Sequence, residues 1–387
     1  MVEQVRPAST EELCSILADA THEGRAVELR GGGSKSTIGC PGRDATVIDM
    51  TGFTGIIDYD PRELVLTVGA GTPLAEVQDL IAGERQMLAF EPFDYARLLG
   101  GASGKSTIGG VVAAGVSGSR RISSGATRDH LLGFEAVSGR GDAFVGGGRV
   151  VKNVTGYDLP KLMAGSWGRL AALTAVTLKV LPQPRTQATI VAHGLDDDEA
   201  VQAMARAMGS PADVTAAAHL PEQGLTVLRL EGFEPSVAAR AEMLRAILGG
   251  HAELLSNDDD RAIWDCLLTL SSLGRDDPLW RISVAPSRGP QVFRALEPLS
   301  AQRVYDWAGG LVWVTLPTDV DQQVVRRVAI EAGGHATLVR ASEELRSCIP
   351  ALQPEAPGLA ALSDRVRRGF DPANILSPGR FGGAHAH

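Results

Sequence analysis

The sequence predicts an α+β protein with a glycine-rich, two-part ligand-binding domain over 1–184, a second α+β domain of ferredoxin-like element order over 185–345, and a tail, 346–387, that returns to the first domain. Three observations carry this. Residues 1–182 hold 28 of the 45 glycines, 17 of them between Gly100 and Gly168, interleaved with Val, Ile, Leu and Ala rather than with Ser and charge. Such a stretch is built around a ligand, because glycine lets another group approach the backbone closely and a disordered segment would lack the apolar residues. Pro182-Gln183-Pro184-Arg185 then reads as an extended linker. Beyond it the pattern changes to β-α-β-α, and that order repeats.

The elements follow in order. Ser9 before Thr10-Glu11-Glu12 marks a helix start, with the helix running to Glu23 ahead of Gly24. Strands are expected at 26–29 and 46–50, and a strand–turn–strand at 55–60 and 64–68. Thr72 is expected to cap a helix with Pro73 in its first turn, ending near Ala82. A second part begins near Phe90. It has a helix over 106–118 opened by Ser106 or Thr107, a strand over 131–138, a turn at Gly139-Arg140-Gly141-Asp142, and a return strand over 144–151. A short helix at 158–164 and a buried strand or strand pair at 170–181 close it. The second domain reads as strands at 188–193, 225–230, 280–284 and 311–315, with helices at 198–208, 236–248, 290–296 and 319–332. Residues 370–381 hold two prolines and read as an extended tail packed on the body.

Composition narrows the function. The chain is 44% hydrophobic and 21% charged, with a net charge of −9 and no Lys/Arg block, so nucleic acid is not suggested as a partner. Cys14, Cys40, Cys266 and Cys348 are far apart without a CxxC pair, which disfavours zinc and iron–sulfur sites and suits a reducing compartment. The histidines lack HExxH spacing, and no metal is expected. The acidic start does not suit a signal peptide, and no run approaches the ~20 apolar residues of a membrane span. A soluble cytosolic protein is expected, one still able to dock peripherally on a complex at the inner membrane.

Two motifs suggest anion binding. A strand runs into Gly31-Gly32-Gly33-Ser34-Lys35-Ser36, where successive N–H groups can converge on phosphate oxygens and Ser and Lys add to the attraction; the alternative is a flexible turn. The last glycine of a dinucleotide GxGxxG is missing. Gly104-Lys105-Ser106-Thr107 ends like a P-loop, but Leu99 stands where the loop's first glycine belongs. The stretch from Ser103 through Gly109, Gly110 and Gly115 reads instead as a helix start, either a second jaw on the same pyrophosphate or a tightly packed core helix.

Together these motifs resemble the vanillyl-alcohol-oxidase/PCMH-type FAD-binding family. Arg30-Gly31-Gly32-Gly33-Ser34-Lys35…Gly39 is similar to its pyrophosphate loop, and Thr107-Ile108-Gly109-Gly110…Gly115 to its second FAD segment. Gly125-Ala126-Thr127-Arg128-Asp129 follows, then Lys152-Asn153-Val154-Thr155-Gly156-Tyr157-Asp158 and the closing run to Lys179. Ile375-Leu376-Ser377-Pro378-Gly379-Arg380-Phe381 resembles the family's C-terminal tail. Within the family the chain looks most like the FAD-binding subunits of glycolate oxidase.

The resemblance implies FAD held by Gly31, Gly32, Gly33, Ser34, Lys35, Ser36, Gly39, Ser103, Thr107, Ile108, Gly109, Gly110 and Gly115. Ala172 counts with them, in a closing segment where relatives commonly have glycine. Asp129 either accepts a bond near the cofactor or caps a turn. No His or Cys is placed in the pyrophosphate loop for a flavin bond, so non-covalent FAD is expected. The implied partners are a catalytic FAD subunit, an iron–sulfur subunit and a small 2-hydroxy acid oxidised to its keto acid. Catalytic relatives carry metal-binding histidines and an acid late in the cap, whereas Gly333-Gly334-His335-Ala336-Thr337 has neither an acid nor a second histidine. Arg281, as a carboxylate holder, and His335 remain the catalytic candidates, each with a structural alternative. A non-catalytic scaffold or electron relay is the rival reading.

Overall fold

A computed structural model describes residues 3–41, 45–148, 156–249, 252–255 and 257–381. The helix Thr10–Glu23 forms as its caps dictate: the Ser9 hydroxyl accepts from the Glu12 amide, and Gly24 ends it in the left-handed region at φ 66°. Leu13, Leu17 and Ala20, spaced along one face, are buried against a parallel three-stranded sheet. That sheet runs Gln4–Val5, Thr46–Asp49, Val27–Arg30 in spatial order.

A five-stranded antiparallel sheet follows. Its order is Ile56–Asp60, Val65–Gly69, Ala171–Lys179, Leu131–Ser138, Ala143–Gly147. The hairpin expected in the first part therefore joins the sheet of the second part. Ala171–Lys179 lies at the centre and is buried on both faces, which is why it reads as a mostly apolar run interrupted only by Thr174, Thr177 and Lys179. Helix Ile108–Ala114 packs on this strand. It starts at Thr107, whose hydroxyl accepts from the Gly110 amide, and stops at Gly115 in the left-handed region, short of the expected Gly118. Thr72 does not cap the next helix, Leu74–Gly83: its hydroxyl instead donates to Gly69 O at 2.7 Å, holding the preceding turn. Residues 149–155 of the expected return strand and closing motif lie outside the described residues.

Residues 186–340 build one eight-stranded antiparallel sheet from two ferredoxin-like halves. In the first, Thr186–His193, Ala216–Leu220, Leu225–Gly232 and Ala252–Leu254 take the spatial order fourth, first, third, second. Helices Asp197–Met208 and Glu234–Leu248 complete that βαββαβ unit. In the second half, Leu279–Ser283, Gln302–Asp306, Leu311–Thr315 and His335–Arg340 take the order second, third, first, fourth, with helices Gly289–Leu296 and Gln323–Glu331. The last helix is shorter than the expected 319–332. The halves meet edge to edge where His219 pairs with Tyr305. Asp197 fastens that seam by accepting from Arg303 Nε at 2.8 Å and from the Tyr305 hydroxyl at 2.7 Å.

A buried charge network ties this sheet to the glycine-rich half. Arg229 pairs with Glu91 at 2.8 Å, and Arg120 pairs with Glu231. Burial by itself would raise the Glu91 carboxyl; the guanidiniums of Arg229 and Arg120 outweigh it and hold the group below the usual carboxylate range. Two further bonds cross the same seam, Ser119 Oγ to Asp306 at 2.7 Å and Trp307 Nε1 to Gly118 O at 3.0 Å. A helix, Pro357–Phe370, precedes the expected tail, and residues 371–381 after it form an irregular strap packed on the body.

Candidate functional site

Two compartments open in the molecule, one within the glycine-rich half and one between that half and the eight-stranded sheet. The first is lined by 28–36, Met50, Ala70, Thr107, Gly109, Gly110, Ala113, Ala114, Trp167, Gly168, Ala171, Leu173 and Arg380. The backbone N–H groups of Gly31, Gly32, Gly33, Ser34 and Lys35 donate to no acceptor among the described residues. Five consecutive unpaired donors on residues that line a cleft suit an anion-binding nest. The loop needs its glycines, because a Cβ on Gly32 would fall on the Lys105 carbonyl of the neighbouring loop.

Lys35 is the charge of this compartment. It is 8% exposed and makes no ion pair among the described residues; its Nζ reaches the hydroxyls of Ser34 at 3.2 Å and Ser106 at 3.5 Å. Burial lowers its pKa to about 8, only partly opposed by Asp94. A buried ammonium beside free N–H groups and hydroxyls suits a phosphate group.

The second jaw contributes less than its sequence suggests. The amides of Ile108 and Gly109 donate to Thr72 O and Ala70 O, and the Gly110 amide donates to its own cap, Thr107. Tight packing of this helix on the Ala70 turn uses those donors. What remains for a ligand is the side of Gly109 and Gly110 and the hydroxyls of Ser106 and Thr107.

The expected cofactor residues therefore divide. Gly31, Gly32, Gly33, Ser34, Lys35, Ser36, Thr107, Gly109 and Gly110 line the first compartment. Ile108 is fully buried in the core, and Ala172 points to the far side of its strand, where it packs with Leu13 and Leu17. Strand alternation puts Ala171 and Leu173 at the cleft instead. Gly39 sits against Arg380 of the tail, Gly115 lines the second compartment, and Ser103 is exposed away from both. Asp129 caps a turn by accepting from the Ala126 amide at 2.9 Å.

The second compartment adjoins the first through Ala114 and Trp167. It brings Arg281 and His335 together with Arg121, Arg128, Tyr95 and Thr127, and no carboxylate among the described residues lines it. Arg121 and Arg281 lie 4.2 and 4.8 Å from the Trp307 ring centroid and form no ion pair among the described residues. Burial lowers the pKa of Arg281, though Tyr95 and Asp306 oppose this. His335 is lowered by partial desolvation and then by Arg281 and Arg121, so the imidazole is neutral at pH 7. Trp167, Trp307 and Ala308 have positive φ, strain that sequence reading gave no sign of. Arg121, Arg380 and Trp167 also escaped it. For Arg380 the signal was present, in the tail motif. Among the described residues no group of three His, Cys, Asp or Glu is placed to hold a metal.

This is the PCMH-type FAD-binding fold. The substrate-bound structure of p-cresol methylhydroxylase superposes with a TM-score of 0.71 over 98% of this chain and 88% of that one, at 16% identity. Residues 4–146 match the FAD binding domain family. Over 97% of its length the chain is 33% identical to glycolate oxidase subunit GlcE of Escherichia coli (strain K12), covering 96% of it. It is 27% identical to glycolate oxidase subunit GlcD of Bacillus subtilis (strain 168), covering 88% of that protein. The chain belongs to the glycolate oxidase subunit GlcE family of FAD-linked oxidoreductases.

Proposed function

We propose that this chain is the FAD-binding subunit of a glycolate oxidase complex and takes part in oxidising glycolate, or a similar small 2-hydroxy acid, to the keto acid. The observation that carries the reading is the nest at 31–35 with Lys35 buried beside it, in a chain that matches GlcE end to end. The loop and Lys35 would hold the pyrophosphate, and Ala70, Ala113, Ala171 and Leu173 offer apolar walls. Non-covalent FAD is part of the same proposal, resting on the pyrophosphate loop, which offers no His or Cys for a flavin bond. The bound flavin supplies the two-electron acceptor for the α-hydrogen of the substrate.

The second compartment fits a small carboxylate. Arg281 and Arg121 hold the carboxylate by charge, and the neutral His335 ring accepts the hydroxyl proton at a ring nitrogen. We assign 1–184 to the FAD domain, 185–345 to the cap and 346–387 to the returning tail. The partners would be a catalytic sister flavoprotein and an iron–sulfur subunit. A cytoplasmic complex docked peripherally at the inner membrane is part of the same proposal. No helix among the described residues is long and apolar enough to cross a membrane.

A scaffold or electron-relay role is the second reading. It is favoured by a substrate compartment whose one imidazole sits among three arginines. Anaerobic mixing of the purified chain with glycolate or D-lactate separates the two. Bleaching of the flavin band by the chain alone supports its own turnover. Bleaching only with the sister subunit present supports the relay. A colourless chain that takes up no FAD overturns both.

A further inference from the structure

The strap after the last helix is built into the cofactor loop. Asp371, fully buried, accepts from the amides of Ile375 at 3.0 Å and Leu376 at 2.8 Å, and so sets the turn that starts the strap. Val27, on the strand that feeds the glycine loop, bonds both sides of Leu376. Its amide donates to Ile375 O and its carbonyl accepts from Ser377 N, each at 2.8 Å. The strap thereby extends the parallel sheet by one residue pair. Arg380 then crosses the loop at the wall of the first compartment, which it also lines. Its guanidinium donates to Ile38 O at 3.1 Å, to Lys35 O at 2.9 Å and to Ser36 O at 3.5 Å, and it pairs with Glu28 at 3.4 Å. Its own carbonyl accepts from Cys40 N at 2.8 Å. Phe381 packs 5.0 Å from Trp167, which lines both compartments.

These contacts divide the loop's polar groups. Carbonyls on its descending half are bound by one side chain from the other end of the chain, while the N–H groups of its first half are left free toward the cleft. A glycine-rich loop has many conformations to lose, and a ligand that must order it spends binding energy doing so. A carbonyl swinging inward would also repel phosphate.

We propose that the strap 371–381 is a clamp that holds the glycine loop in its anion-binding shape, with Arg380 as the positioning residue, so that retention of the dinucleotide depends on the strap. The proposal rests on the FAD reading above. The full-length chain is tested as wild type, Arg380→Met and Arg380→Lys. Each is stripped of flavin and titrated with FAD and separately with ADP, and the thermal midpoint of the flavin-free chain is recorded. Losing a forked, charge-assisted set of bonds predicts FAD and ADP binding weaker by about ten- to a hundredfold in Arg380→Met. Arg380→Lys, which keeps the charge but not the fork, falls between. The affinity loss should exceed what any unfolded fraction accounts for. Wild-type affinity in Arg380→Met overturns the clamp and leaves the FAD reading standing. So does a loss explained wholly by unfolding, unless the better-tolerated Arg380→Lys also weakens binding while folded. A wild-type chain that binds neither FAD nor ADP brings down both.

Discussion

Lys35 Nζ lies 3.5 Å from Ser106 Oγ, joining two loops 71 residues apart in sequence at the edge of the first compartment. The hydroxyl is a weak partner for a buried charge, so an anionic ligand would complete the site. Lys35→Met should weaken FAD binding about ten- to a hundredfold without unfolding the chain, read by flavin retention on gel filtration.

The same lysine predicts a pH dependence. Its pKa is near 8 in the folded chain and near 10.4 when unfolded, so between these values the unfolded state binds more protons. Stability of the flavin-free chain should therefore rise with pH from about 8 to 10, and that rise should vanish in Lys35→Met. FAD affinity should move oppositely, falling above pH 8 as the ammonium is lost.

Gly32→Ala places a methyl on the Lys105 carbonyl, which belongs to backbone and cannot swing aside. One of the two loops must shift. We expect a loss of roughly 1–3 kcal/mol in denaturant unfolding, with FAD binding impaired more than Ala substitution at the neighbouring Gly104 would cause.

Asp306 carries the opposite sign from an ordinary salt-bridged acid. Burial pushes it up to about 6, against bonds from Ser119 and the Trp307 amide. With the folded value above the unfolded one, the native state binds the extra proton between about pH 4 and 6, and stability is lost as pH rises through 6. Asp306→Asn should flatten this segment of the melting-temperature profile and cost little at pH 7.

Arg281→Met should weaken binding of glycolate at least about tenfold while leaving FAD content unchanged, measured by perturbation of the flavin spectrum. His335→Gln should lower turnover by the isolated chain if His335 takes the proton. It should leave complex turnover untouched if the sister subunit performs the chemistry.

Much of the fold was legible. The Ser9 cap and Gly24 stop bounded the first helix, and the two prolines at 182 and 184 stand just before the first strand of the eight-stranded sheet. The strand Ala216–Leu220 was missed because its run of alanines favours helix; burial between two neighbouring strands overrides that preference. Ala172 was placed in the site by the resemblance of its segment to the family's closing run, and a strand buried on both faces gives no alternation that could have corrected it. Donors at Ile108 and Gly109 looked free because sequence does not reveal that the Ala70 turn packs against them.

By itself the sequence determined the glycine-rich loop with its lysine, the repeated strand–helix alternation of the second half and the family resemblance, since these rest on local patterns and spacing. Only the tertiary structure decided which glycine-rich element keeps its N–H groups free, that Arg121 and Arg281 both lie against the Trp307 ring, and that Arg380 braces a loop 345 residues away. Those outcomes depend on which distant backbone satisfies each polar group, and no local pattern carries that information.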